Sequence, residues 1–198
     1  MTILALVALL ASGGQQLLDR TLALVSGQPI TLSDVRAAVA LGLIEGRSGD
    51  EAVPAATDRL VDRALILREV QRYAPPQPAE SAVDARLAEI RARVGAAEWT
   101  RALDRFALTD ARLRAWVRDD LRAQAYLAQR FASASTPTDG EVAAAYNRGR
   151  AEFERQGISF DQATPALRER LAESRRAELT ADWLADLRRR TDIVRLPQ

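Results

Sequence analysis

The sequence predicts a mainly α fold: six or seven helices, with a small N-terminal β-hairpin paired to a C-terminal strand. Three observations predict it. Hydrophobic residues make up 47% of the chain but aromatics only 5%, so the apolar content is mostly Ala, Leu and Val, which favours helices packed on helices. Apolar residues recur at helical spacing through most of the chain. Strand-like runs stand at its two ends, TLALVSGQPI and TDIVRL, and an isolated strand cannot satisfy its backbone groups, so the two ends are expected to pair.

Residues 1–16, MTILALVALLASGGQQ, read as a signal peptide. The apolar run from Ile3 to Ala11 falls short of the roughly 20 residues that span a bilayer but fits a secretory apolar core of about 7 to 15. Cleavage after Gly13 would put Ala11 and Gly13 at the small-residue positions, although no basic residue precedes the run. The competing reading is a short helix packed on the domain. No Cys follows, which excludes a lipoprotein anchor.

From Thr21 to Ile30, two short strands flank Ser26-Gly27-Gln28, with Pro29 tolerable only at a strand start or edge. Thr31 and Asp34 then start a helix carrying Val35, Val39 and Ile44, ended by the stretch Glu45 to Asp50. In ATDRLVDRALILREVQRYAPPQP, Leu60, Val61, Ala64 to Leu67, Val70 and Tyr73 cover more than one stripe. That predicts a deeply buried helix with Asp58, Asp62, Arg63, Glu69 and Arg72 on its polar side, stopped by Pro75-Pro76. Ala79 to Val94 reads as an amphipathic helix ending at Gly95, and a shorter helix follows around Trp99, Leu103 and Phe106.

Thr109-Asp110 opens a long helix to about Phe131, with a stripe of Leu113, Val117, Leu121, Ala125 and Ala128 and with Trp116, Leu127 and Phe131 beside it. Ala132 to Pro137 reads as a small-residue linker. Thr138 and Glu141 form a capping box for a helix through Val142, Tyr146 and Phe153, broken by Gly157. A last helix from about Thr164 to Arg190 carries Leu167, Leu171, Ala177, Ala181, Leu184 and Leu187 with Trp183 flanking, and Thr191 to Leu196 forms the closing strand.

Composition narrows the chemistry. With Cys 0 and His 0, disulfides, zinc fingers, thiol nucleophiles and histidine bases are excluded. All 28 cations are Arg, which suits bidentate phosphate contacts. The formal net charge of +1 argues instead for coding bias on solvated helix faces and against nucleic acid as a partner. Asp119-Asp120 and the Asp58, Asp62 pair are expected to make exposed ion pairs with Arg at helical spacing rather than acid–base catalysis. Arg188-Arg189-Arg190 sits where the macrodipole of a helix C-terminus favours cations. No nucleophile elbow, phosphate loop or metal-ligand spacing is present, so no catalytic residue, metal or cofactor is assigned. Trp99, Phe106, Trp116 and Tyr126 are the main aromatic concentration, read first as core and second as an apolar peptide-binding surface.

The stretches DRTLALVSGQPITLSDVRAAV, RLVDRALILREVQRY, LRAWVRDDLRAQAYLAQRF, TPTDGEVAAAYN and PALRERLAESRRAELTADWLADLRRRTDIVRL, in this order, resemble the SurA-type periplasmic chaperones and the helical part of parvulin-linked foldases such as PrsA. The resemblance covers nearly all of 17–198. It departs from the family where a parvulin-type prolyl isomerase domain usually stands: only Arg155 to Ser159 separates the part over 17–157 from the closing helix and strand over 158–198.

The resemblance implies a helical chaperone domain whose C-terminal strand returns to the hairpin. It implies an exported, periplasmic, ATP-independent protein that holds unfolded outer-membrane or secreted polypeptides without isomerase activity, cofactor or stable membrane insertion. Freedom from thiols suits export. The residues expected to meet clients are Leu41, Ile44, Trp99, Phe106, Leu113 and Trp116, on the shorter or amphipathic helices. The alternatives are a scaffold module of the cell envelope and an isomerase relative with residual activity.

Overall fold

A computed structural model describes residues 19–44 and 49–197 of the chain; the expected signal peptide and residues 45–48 of the expected helix stop lie outside the described residues. The chain opens with β1 (Thr21–Val25) and β2 (Gln28–Thr31), and closes with β3 (Ile193–Arg195). The sheet order is β2-β1-β3, antiparallel throughout, so the two ends of the domain meet on β1. Ser26 (φ 49) and Gly27 (φ 82) make the tight hairpin turn between β1 and β2, both with the positive φ that such a turn demands. Pro29 lies opposite Leu24. Leu24 is in phase with Leu22 and Ser26, whose backbone groups bond β3, so the nitrogen of Pro29 faces the free edge of the sheet and removes no ladder bond.

Among the described residues there are seven helices of nine residues or more: α1 (Leu32–Ala40), α2 (Val53–Tyr73), α3 (Glu80–Val94), α4 (Ala96–Arg105), α5 (Asp110–Arg130), α7 (Asp139–Arg148) and α9 (Phe160–Arg190). Two short ones, α6 (Ala132–Ser135) and α8 (Arg150–Arg155), complete the order. The fold is thus mainly α with the small sheet that the sequence predicts.

Local chemistry sets the boundaries. Thr31 and Asp34 form a reciprocal capping box at the start of α1, as expected. The end of α1 corrects the sequence reading: the helix stops at Ala40, before Ile44 and the Glu45 to Asp50 stretch. Gly42 (φ 58) takes the left-handed position, its N–H donates to the Val39 carbonyl, and the Leu43 N–H donates to that of Ala38 at 2.8 Å, which closes a Schellman motif. The segment read as a linker is also different. Ala132 to Ser135 coil into α6, and Ser135 is buried with its hydroxyl donating to the Ala132 carbonyl. The last helix starts four residues earlier than Thr164, because Ser159 and Gln162 make a further capping box. Its 31 residues reach about 46 Å at 1.5 Å per residue, long enough to touch two separate cores.

The main core lies between the sheet, α1, α2 and the second halves of α5 and α9. Leu22, Val25, Val35, Leu60, Val61, Leu65, Val70, Tyr126, Trp183 and Leu187 meet there. Burying each of these Leu or Val side chains contributes about 2 kcal/mol relative to exposure. Trp183, expected at the flank of α9, is buried, whereas Ala177 and Ala181 are exposed. Tyr73 corrects its placement among the buried apolar residues of α2, since it is 57% exposed and stacks on Tyr126 with centroids 5.7 Å apart. A second core of Val142, Ala145, Ala163 and Leu167 joins α7 and α8 to the start of α9. The remaining apolar clusters join α1, α3, α4 and the first half of α5.

Candidate functional site

A cleft lined mainly by small and branched apolar side chains opens between α1 and the beginning of α2. Val35, Val39 and Ala40 form one wall and Ala52, Val53 and Ala56 the other, with Phe106 across one end. Its volume is about 300 Å³. The capping box at Thr31 and the Schellman motif at Gly42 fix both ends of α1, so Val35 and Val39, four residues apart, face α2 together. Phe106 is placed by a reversal of the chain: α4 ends at Arg105, Phe106 caps it, and Ala107 follows at φ 48. The charged residues on the cleft wall are Arg36 and Arg105, and the Arg105 guanidinium carbon lies 5.4 Å from the Phe106 ring centroid. The cleft can seat one or two bulky apolar side chains. At the small end of the range for ligand pockets, it suits side chains of a longer chain better than an enclosed organic cofactor.

The six residues expected to meet clients divide into two groups. Leu41, Trp99, Phe106 and Leu113 come together in one cluster with Ala102, Leu103 and Leu108. Within it Leu41 and Leu113 are buried, at 0% and 3% exposure, beneath α4 and the Phe106 reversal, while Trp99 and Phe106 are half-buried. Ile44 and Trp116 instead pack on the margin of the main core. Phe106 alone of the six lines the cleft. Arg36, Val39, Val53, Ala56 and Arg105 line it without having been singled out. The i, i+4 pair Val35 and Val39 is visible in the sequence, but only the folded chain shows that it faces Val53 and Ala56.

A second groove, of about 310 Å³, runs beside the free edge of the sheet. Its floor includes Ile30, Leu60, Ala64 and Leu67, and Arg63 and Trp116 form one side. Trp116 is held by charge. Its Nε1 donates to Asp120 Oδ2 at 3.0 Å, and Arg63 on α2 donates to Asp120 Oδ1 at 2.8 Å. Burial pushes the Asp120 carboxyl above the ordinary range, and Arg63 opposes that shift.

These pairings correct the expectation of exposed ion pairs at helical spacing. Asp120 binds Arg63 on α2, Asp62 binds Arg188 on α9 at 2.7 Å, and Asp58 binds Arg195 on β3 at 2.7 Å. All three carboxylates tie separate elements together. Burial also raises the Asp62 carboxyl, against the pull of Arg188. Arg188 is therefore committed to a carboxylate, and Arg189 pairs with Asp186 in the same turn.

No family model matches the chain, and no curated protein matches it. Among the described residues, no three His, Cys, Asp or Glu side chains group as they would to hold a metal ion, and no helix is long and apolar enough to cross a membrane.

Proposed function

We propose that this protein is an exported, ATP-independent chaperone of the SurA type, without the isomerase insert, which holds apolar segments of unfolded outer-membrane or secreted polypeptides in the cleft between α1 and α2. The observation that carries the reading is that cleft: about 300 Å³, with half-buried Val39 and Phe106 at its surface and Val35, Val53 and Ala56 buried behind them. Weak, exchangeable retention of unfolded chains requires a modest apolar surface of this kind and no energy source. The architecture adds support, since β3 returns to the hairpin as the SurA-type resemblance implies. Trp99 and Phe106, half-buried at the margin of the cluster next to the cleft, offer aromatic faces that an extended chain can reach.

The test is suppression of aggregation. A several-fold excess of the purified protein is expected to slow light scattering by an unfolded β-barrel protein diluted from denaturant, and Phe106→Ala is expected to weaken that effect. Unchanged scattering with the parent protein rejects the chaperone reading. Capture of one folded partner at fixed stoichiometry, with no effect on scattering, would favour the scaffold alternative.

A further inference from the structure

We infer that the outer edge of β3 takes up an extended client segment as a fourth, antiparallel strand; the nature of this occupant rests on the chaperone reading above, but the surface is not the cleft. In the β1–β3 ladder the Leu196 N–H donates to the Leu22 carbonyl and the Ser26 N–H to that of Asp192, with Leu24 paired to Val194 between them. Asp192, Val194 and Leu196 thus turn their backbone groups towards β1, and Ile193 and Arg195 turn theirs outwards. Among the described residues no strand pairs with that side, where the sheet ends. The opposite edge is closed to such a partner, because the Pro29 nitrogen that faces outwards there carries no hydrogen. The open edge calls for an extended chain, which alone presents donors and acceptors in step with those of Ile193 and Arg195.

The side chains point the same way. Arg195 reaches Asp58 on α2 and Ile193 packs on the main core, so Val194 lies on the other face of the sheet, 42% exposed. Of the three exposed large apolar side chains among the described residues, Tyr73 and Phe160 lean on tyrosine rings. Val194 instead ends a row that crosses the sheet, with Pro29 opposite Leu24 and Leu24 opposite Val194. In an antiparallel addition the residue facing Val194 belongs to a non-hydrogen-bonded pair, where side chains approach most closely, so a β-branched residue there extends the row. Its two neighbours exchange hydrogen bonds with Ile193 and Arg195. The occupant is therefore a segment with apolar residues at alternate positions, the pattern of a strand buried on one face.

Three labelled peptides test this, each blocked at both termini: one of alternating Val and Thr with Lys at its ends, and two more in which either the Thr or the Val backbone nitrogens are methylated. Binding to the full chain is read by fluorescence anisotropy. A Val seated beside Val194 aims the Thr N–H groups at β3, so methylation at Thr should weaken binding about ten-fold and methylation at Val less than about two-fold. Arg195→Pro should bind the plain peptide about five-fold more weakly than Arg195→Ala, which loses the same ion pair but keeps the outward N–H. Should Arg195→Pro lose its fold by circular dichroism, the methylated peptides on the parent protein still decide. Equal effects of the two methylations, or equal binding by the two folded variants, overturn the inference and leave the chaperone reading intact. A dimer in sedimentation that Arg195→Pro dissociates and Arg195→Ala does not would make the occupant a second copy, and also overturns it. Absence of binding by the plain peptide overturns the inference, and the chaperone reading falls with it only where aggregation of an unfolded β-barrel protein is also unaffected.

Discussion

The guanidinium carbon of Arg63 lies 3.8 Å from the centroid of the Trp116 ring, and the same guanidinium donates to the Trp116 carbonyl at 3.1 Å and to Asp120 at 2.8 Å. One side chain of α2 thereby meets the π face, the backbone and the acidic neighbour of one turn of α5. Only an arginine can make all three contacts, because its planar fork stacks and donates at once. The side chains of Arg63 and Asp120 are 18% and 29% exposed, so the pair is shielded from water more than a surface bridge is.

Replacement of Arg63 by Ala should cost about 2 kcal/mol, between the values for an exposed pair and a fully buried one, since it leaves Asp120 charged and poorly solvated. The double variant Arg63→Ala/Asp120→Ala should cost clearly less than the sum of the two single changes. Urea unfolding of the four proteins forms the cycle. Strict additivity would show that the contact carries no coupling energy.

The buried and half-buried members of the aromatic and leucine cluster should separate in a second experiment. Leu41→Ala and Leu113→Ala empty core positions and should each lower stability by about 3 kcal/mol. Phe106→Ala and Trp99→Ala remove half-buried rings and should lower stability less while weakening client retention more. Urea midpoints set beside aggregation kinetics for the four variants check this. Parallel losses of stability and retention at Phe106 and Trp99 would make them core residues and nothing else.

Much of the fold was legible in the sequence where one element carries its own signal. The capping boxes at Thr31 and Thr138 mark their helices directly, and strand-like ends without other partners imply the β1–β3 pairing. What was not legible depends on which neighbour each face meets. On α5 the stripe turns partway along: Leu113 and Val117 face the clusters under α3 and α4, but Ala123 and Tyr126 face the main core, leaving Ala125 and Ala128 exposed. A single period cannot report two partners. The ion pairs of Asp58, Asp62 and Asp120 escape the sequence reading for a related reason: Arg residues close by in sequence, such as Arg59 three positions before Asp62, suggest local pairs, whereas Arg195, Arg188 and Arg63 are brought up from other elements by packing. The candidate cleft was seen in part, through Phe106, because its walls come from α1 and α2 and nothing local couples Val39 to Val53.

Gly42 should prove a sensitive position despite its exposure. At φ 58 any other L-residue is strained, and an added Cβ would meet only the Arg93 side chain at ordinary van der Waals distance, so the cost comes from the backbone. Gly42→Ala is expected to lose about 1 kcal/mol, or about 2–4 °C in Tm for a chain of this size. Gly42→Asn, which tolerates the left-handed region better, should recover part of the loss. Thermal melts of the two variants decide the matter, and equal melting of all three proteins would remove the Schellman motif as the reason α1 stops at Ala40.

Acid should weaken the attachment of α7 to α9 through one carboxylate. The Thr138 N–H donates to Glu141 Oε2 at 2.8 Å, and Arg175 on α9 bonds the same side chain. That backbone donor first, and the guanidinium with it, lower the Glu141 pKa from 4.5 to about 2. A carboxyl whose pKa falls on folding stabilises the fold fully above the unfolded value, and the contribution disappears as pH drops from 4.5 towards 2. Glu141→Gln keeps an acceptor for the Thr138 N–H but carries no charge to lose. Its stability should therefore fall less steeply than that of the parent over this window, and added salt should narrow the difference by screening Arg175. Asp62 and Asp120 act in the opposite sense, since burial raises both, and they contribute the same background to the two proteins. Thermal melts of parent and variant across the window give the two slopes, and coincident slopes would exclude Glu141 as a source of acid sensitivity.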